Sequence, residues 1–396
     1  METTRLVDVN ELKVGMYVTK LDRPWLETPF LFQGFCICDQ DEIDELRTHC
    51  RRVYVSVEDS SCGSAAGPLV QTGVLYENRA TLKEEIHTAT GVHKKAVVTV
   101  RDVMNDIRRS GSLDLDRVEE TVTPMVDSVL RNSAALSCLV RMQKVNDYLY
   151  HHSLASSIWA TVLGRQIGLQ REDLDIVAMG AVLLDVGKTR VPAEILEKPG
   201  KLDEKEFELM RRHVQFGLEI LDKARDVDER VLDMVAHHHE RHNGSGYPRG
   251  LKGTAIPVFG RIAGIVDTYD AMITPRPYAR LSSSYDALRK LRVLAGVEFQ
   301  SEIVEQFTRA IGVFPTGTLV ELNSGEIGIV TQQNRIHRLC PEIMIVTGAD
   351  KRILDEFRVV DLNEETASFG SHRPLRIERS LPAGSHGIDP VEFYIE

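Results

Sequence analysis

The chain has no C-x-x-C pair, and its six cysteines (Cys36, Cys38, Cys50, Cys62, Cys138 and Cys340) are scattered over 396 residues. In a chain this long, that pattern argues for reduced thiols rather than a disulfide framework. Long apolar runs are missing too. The longest nearly unbroken one, Ile176 to Leu184, ends on Asp185, far short of the roughly 20 residues a bilayer demands, so no membrane insertion is expected. Positive charge is in deficit, with 48 Lys and Arg against 59 Asp and Glu and a net charge of −11. This argues against unaided capture of DNA or anionic lipid. No nucleic-acid partner is expected, and an anionic substrate needs a local basic site. The first residues, Met1-Glu-Thr-Thr-Arg-Leu, lack a basic stretch followed by an apolar one, which makes the cytoplasm the expected location. What remains is an ordinary globular composition, 42% hydrophobic and 27% charged, long enough for two or three domains.

Periodicity divides the chain. Residues 1–56 read as a β-rich unit, with Met16-Tyr-Val18, Phe30-Leu-Phe32, Phe35-Cys-Ile-Cys38 and Val53-Tyr-Val55 as short apolar runs and a helix over Asp41 to His49. Residues 57–78, rich in Ser, Gly and Ala, read as a linker. From 79 to about 310, apolar residues recur at three- and four-residue spacing. Gly111, Gly168, Gly187 and Gly200 act as stops, and an Asp203-x-x-Glu206 capping box opens the helix that carries His213. After Pro315 the period becomes two, and a turn at Asn323-Ser-Gly325 joins two strands. Val391, Phe393 and Ile395 alternate like a final strand.

The chemistry-bearing residues are histidines and aspartates on apolar helix faces. His152 shares a face with Ala155 and Ser156, and His213 with Met210 and Gly217. Taken alone, each reads as a satisfied core histidine. In His237-His-His-Glu240, helical spacing sets His238 behind Val231, Met234 and Val235, and His239 behind Leu232, Val235 and Ala236. His237 falls above Asp233 and Arg230, on the wet side. Two inward imidazoles at a helix end can serve one or two metals. Asp185 follows Ala181-Val-Leu-Leu184, and Asp267 and Asp270 lie three apart on another apolar helix; buried carboxylates of this sort demand a cation or a hydrogen-bond network. A mixed nitrogen and oxygen set suits Fe, Mn or Zn better than Ca or Mg. Between these helices runs Arg241-His-Asn-Gly-Ser-Gly-Tyr-Pro-Arg-Gly250, whose glycines permit close backbone approach to a ligand. Tyr247 could stack on a base there, and Lys188, Arg249, Arg276 and Arg280 are candidate phosphate ligands.

In order and spacing, these segments resemble the HD-GYP domain, a branch of the HD metallohydrolases that cleaves the bacterial second messenger cyclic di-GMP. The likeness spans about residues 145–310 and includes Asp147-Tyr-Leu-Tyr-His-His-Ser153, Leu184-Asp-Val-Gly-Lys188, Arg190-Val-Pro192, Glu197-Lys-Pro-Gly-Lys-Leu202, Met210-Arg-Arg-His213, His238-His-Glu-Arg-His-Asn-Gly-Ser-Gly-Tyr-Pro248 and Asp267-Thr-Tyr-Asp-Ala-Met272. Leu12-Lys-Val-Gly-Met-Tyr-Val18 with Pro24-Trp25 is similar to the accessory domain that precedes one HD-GYP subgroup. The resemblance implies a mainly α fold: an HD-type helical bundle over 145–314, connecting helices over 79–144, and small β-rich N-terminal (1–56) and C-terminal (315–396) units. It implies His152, Asp185, His213, His238, His239 and Asp267 as ligands to two divalent transition metals, Fe or Mn foremost, with Asp185 as the bridge. It further implies Asp185 and Lys188 as catalytic groups, and Lys188, Gly244, Gly246, Tyr247 and Arg276 around the dinucleotide.

Three positions depart from the family pattern. Leu184 stands where the family's His-Asp pair has its histidine, so one metal lacks a protein ligand. Ala279 replaces a frequent cation, and Tyr148 occupies the place where three-metal members carry Glu, making two metals the upper expectation. Two functions follow. One is a metal-dependent phosphodiesterase that hydrolyses cyclic di-GMP to linear pGpG, GMP or both, impaired by the missing histidine. The alternative is an inactive relative that binds cyclic di-GMP or signalling protein partners.

Overall fold

The computed structural model describes residues 4–23, 35–37, 40–56, 74, 76–142, 148–224, 226–274, 282–334, 337–367 and 375–393. At the N-terminus, strands β1 (Thr4–Asp8), β2 (Tyr17–Leu21), β3 (Phe35–Cys36) and β4 (Arg52–Ser56) form an antiparallel sheet in the order β1-β4-β2-β3. Alternation puts Val7, Val53 and Val55 on one face, a register shift between Val18 and Lys20 brings Leu21 into the same core as Val18, and helix α1 (Gln40–His49) closes it with Ile43 and Leu46.

Among the described residues twelve α-helices follow: α2 (Leu82–Ser110), α3 (Leu115–Arg131), α4 (Ser133–Met142), α5 (Tyr148–Gln166), α6 (Arg171–Leu183), α7 (Ala193–Leu196), α8 (Glu204–Arg211), α9 (His213–Leu221), α10 (Glu229–His237), α11 (Val258–Ile273), α12 (Ser284–Leu294) and α13 (Ser301–Ile311). A reciprocal capping box between Thr81 and Glu84 opens α2, and Gly111, at φ 70°, ends it in the left-handed region where a side chain would be strained. α5 has no polar stripe: every residue from His152 to Gly164 is buried, which makes it the central rod of the bundle. A single apolar core runs from Ile86 in α2 to Ile311 at the end of α13.

Beyond α13, strands β5 (Leu319–Leu322), β6 (Ile327–Gln332), β7 (Glu342–Thr347), β8 (Ile353–Asp361) and β9 (Ile377–Leu381) build a second antiparallel sheet, β8-β7-β6-β5-β9, with a short helix α14 (Leu362–Ala367) after β8. The turn at Asn323-Ser-Gly325 joins β5 to β6 with Gly325 at φ 84°. Apolar side chains line both faces, Val320, Val330 and Ile343 on one and Leu319, Ile329 and Val346 on the other.

Two expectations about elements need correction. The capping box at Asp203 opens α8, but that helix stops at Arg211 and His213 begins α9. The N–H of Arg212 bonds to Leu209 and Met210, a tightening that breaks the regular ladder. The tail is a 3-10 turn over Pro390–Phe393 rather than a strand, because Pro390 has no N–H for a ladder and the Glu392 N–H turns back to Asp389. Ile395 lies outside the described residues.

Candidate metal centre

Five segments converge on one buried site: α5 brings His152, the turn after α6 brings Asp185, α9 begins with His213, the end of α10 brings His238 and His239, and α11 brings Asp267. One contact sets their relation. A Cβ on Gly187 would stand 1.9 Å from the His213 carbonyl oxygen and 2.4 Å from the Gly217 amide nitrogen. Only glycine lets the Asp185 turn lie backbone to backbone against α9.

At one end, His152 Nε2 lies 2.9 Å from Asp267 Oδ1 and 3.5 Å from Asp185 Oδ2. Its Nδ1 is 2.7 Å from Asp270 Oδ2. Asp270 is held in turn by the indole N–H of Trp159 at 3.0 Å and the hydroxyl of Thr274 at 2.9 Å. Burial pulls the His152 pKa down, but hydrogen bonds to Asp267 and Asp270 outweigh it and raise the imidazole to about 9. The Tyr148 ring stacks against the outer side of His152 at 5.2 Å between centroids.

At the other end, the His213 Nδ1–H donates to the Met210 carbonyl at 2.7 Å and the His238 Nδ1–H to the Val235 carbonyl at 2.9 Å. Since a carbonyl only accepts, each proton sits on Nδ1 and each Nε2 carries a lone pair. Burial keeps both rings neutral, lowering His213 to about 4 and His238 below its ordinary value. The two Nε2 atoms face each other at 3.2 Å. Beside them, Asp185 Oδ1 is buried with no hydrogen-bond partner among the described residues, 3.5 Å from His213 Nε2 and 3.9 Å from His238 Nε2. Burial alone would push the Asp185 carboxyl up; the ammonium of Lys188, with His213 and His152, overrides it and holds the group well below the usual carboxylate range. Lys188 Nζ donates to Asp185 Oδ2 at 2.5 Å. An orphaned carboxylate oxygen facing two imidazole lone pairs calls for a cation between them.

His239, its pKa likewise lowered by burial, completes this half with its ring centroid 4.1 Å from that of His238. Two groups of candidate ligand atoms result, Asp185 with His213, His238 and His239, and Asp185 with His152 and Asp267, each within 4.8 Å of one another. Asp185 is common to both.

The glycine-rich loop is stapled beneath them. Glu240 Oε1 accepts from the Arg249 N–H at 2.7 Å and Oε2 from the Leu251 N–H at 2.9 Å. Gly246 lies so close to the backbone of Arg241 and His239 that a Cβ would come within 2.4 Å of it. Gly244, at φ 83°, turns under the Lys252 stem. Both glycines therefore shape the loop. Tyr247 stacks on His239 at 4.5 Å. Arg276 and Arg280, with Ala279, lie outside the described residues. Leu184 is 2% exposed and belongs to the apolar core.

Sequence reasoning placed His237 on the wet face; the structure overturns this, because α11 covers it. Its exposure is 7%, and a Cβ on Gly260 of α11 would sit 2.7 Å from its own Cβ. The His237 Nδ1–H donates to the Asp233 carbonyl at 2.9 Å, away from the cluster. His237→Ala is accordingly expected to cost roughly 1–3 kcal/mol of stability while leaving metal content unchanged, as denaturant unfolding and elemental analysis would show. Trp159 and Glu240 were also missed as supports. Trp159 follows His152 by seven residues on one helix face, a spacing that could have revealed it.

Residues 128–303 match the family described as HD domain, and residues 4–118 match a domain of unknown function, DUF3391. Together with 33% identity to a relative over nine-tenths of the chain, this establishes that the chain belongs to the HD-domain proteins with an N-terminal DUF3391 domain. The cyclic di-GMP phosphodiesterase PA4108 of Pseudomonas aeruginosa is 33% identical over 366 residues, covering 90% of this chain and 88% of its own length. The cyclic di-GMP phosphodiesterase response regulator RpfG of Xanthomonas campestris is 39% identical over 151 residues, 38% of this chain and 40% of that protein. A solved HDGYP protein of Bdellovibrio bacteriovorus, Bd1817, aligns over 77% of this chain and 98% of its own at a TM-score of 0.48 and 15% identity. In an HD domain, a buried His and Asp cluster of this composition is a divalent-metal site. No helix among the described residues is long and apolar enough to cross a membrane.

Proposed function

We propose that the protein is a metal-dependent phosphodiesterase that hydrolyses cyclic di-GMP to linear pGpG, GMP or both. The observation that carries this reading is the orphaned Asp185 Oδ1 facing the unprotonated Nε2 atoms of His213 and His238, in a chain 33% identical over nine-tenths of its length to a cyclic di-GMP phosphodiesterase. His213, His238 and His239 would hold one metal and His152 and Asp267 the other, with Asp185 shared; Fe or Mn fits the mixed donor set. When bound, such a metal pair supplies an activated water and neutralises charge on the phosphoryl oxygens.

The remaining work falls to the chain's own groups. Asp270, backed by Trp159 and Thr274, fixes the His152 ring. Lys188, 17% exposed at the mouth of the site, holds Asp185 and presents an ammonium to the phosphate. Tyr247, with Gly244 and Gly246 shaping its loop, walls the dinucleotide, and Arg276 would grip a second phosphate. Six cysteines scattered along the sequence without a C-x-x-C pair support a reducing, cytoplasmic setting.

Leu184 favours a second reading, in which the missing imidazole leaves one metal weakly held and the protein acts as a receptor for cyclic di-GMP or a signalling partner. One experiment separates the two. Chelated protein reloaded with Mn or Fe should unfold later, by about 2.7 kcal/mol at a metal concentration 100 times the dissociation constant, and should turn over cyclic di-GMP. Binding of the dinucleotide without turnover at full metal loading would establish the receptor.

A further inference from the structure

We propose that Phe207 and Arg211 form a purine-docking ledge beside the metal centre and that Arg211 selects guanine, an inference resting on the cyclic di-GMP reading above. α8 carries no buried residue, yet it presents Phe207, a large apolar ring left 48% exposed. One turn later, Arg211 ends the helix, with its guanidinium carbon 4.5 Å from the Tyr247 ring centroid and 5.9 Å from that of Phe207. Phe207 meets Tyr247 edge-on at 6.4 Å and 80°, and Tyr247 stacks on His239 at 4.5 Å and 26°. Flat π surfaces therefore continue outward from a candidate metal ligand to a half-exposed aromatic ring.

Neither side chain belongs to the apolar core. Besides its ring contacts, Arg211 makes among the described residues one loose ion pair, with Glu208 at 3.8 Å on the exposed side of the helix. A stack on Tyr247 pins the guanidinium plane at low entropy cost. An exposed ring beside a pinned planar cation is the equipment of a nucleobase site: the ring takes the base face, and the fork takes an edge bearing acceptors. Guanine offers two adjacent acceptors, O6 and N7. Adenine replaces O6 with an amine that opposes the guanidinium donors.

The test is binding of cyclic di-GMP and cyclic di-AMP to the metal-loaded full chain, followed by stopped flow before turnover. The wild type should prefer cyclic di-GMP. Arg211→Lys, which keeps the charge and stem but loses the fork, and Arg211→Ala should each cut that preference roughly 10-fold with little change for cyclic di-AMP. Phe207→Ala should weaken both ligands by about 10-fold. Unaltered thermal midpoints would confirm that α8 remains folded. Arg211 variants that keep the preference, or lose both ligands equally, overturn the guanine assignment; wild-type affinity in Phe207→Ala overturns the ledge. A wild type that binds neither dinucleotide overturns the proposed function, and this inference falls with it.

Discussion

Asp185→Asn is expected to lose metal and turnover together, more completely than any other single substitution. Among the described residues, Asp185 is the one side chain common to both groups of candidate ligands, and its Oδ1 faces His213 and His238 without a hydrogen-bond partner. An amide cannot supply the second anionic oxygen that a bridge requires. It also places a neutral group against Lys188 and weakens that ion pair. Since altering an outer support of a metal site costs roughly 10- to 100-fold in affinity, losing the shared ligand should cost more. Elemental analysis and a cyclic di-GMP assay give the readout, and the thermal midpoint shows whether the bundle survives. Unchanged metal content and rate in a folded Asp185→Asn protein would sink the site.

Leu184→His is expected to move in the opposite direction, raising both metal stoichiometry and phosphodiesterase rate. Leu184 immediately precedes Asp185, and the resemblance to the HD-GYP pattern implies an imidazole at its position. It is helical, at φ −46° and ψ −48°, and buried at the end of α6. The substitution exchanges a core side chain for a polar ring of similar size. Its benefit therefore depends on the new imidazole finding the metal; a ring left unpartnered would cost about 1–3 kcal/mol. Metal content, rate and unfolding midpoint should be read on the same preparation. A wild type that already holds two metals, with a variant that gains neither metal nor rate, would show that the site is complete without a residue at 184 and would end the impaired-enzyme reading. Absence of metal from both proteins, with cyclic di-GMP still bound, would favour the receptor.

Much of the site was legible because its residues obey one-dimensional rules. His238 and His239 could be read inward, since each stands over apolar neighbours of its own helix at three, four and seven residues. Asp185 and Asp267 could be flagged because each closes or interrupts an apolar run, where a bare carboxylate is costly. Helical spacing failed where a neighbouring helix decides the environment. His237 does stand over Asp233, but Gly260 lets α11 approach closely enough to bury it, and a residue 23 positions away leaves no mark on the local pattern. The break at Arg212 was invisible for a similar reason. No glycine or proline lies between Glu204 and Phe216, and the interruption is a matter of backbone hydrogen bonding. The tail failed differently: an alternating pattern at Val391 and Phe393 says nothing about whether a strand stands open to receive it.

The contact at Gly187 separates shape from chemistry. The turn bearing Asp185 and the helix bearing His213 are gauged against each other by main-chain atoms. The spacing between Asp185 and His213 thus rests on a backbone contact rather than on the side chains around it. A substitution at the neighbouring position 184 leaves that backbone contact in place. Side-chain changes at the site can therefore alter what it holds while the scaffold stays in place.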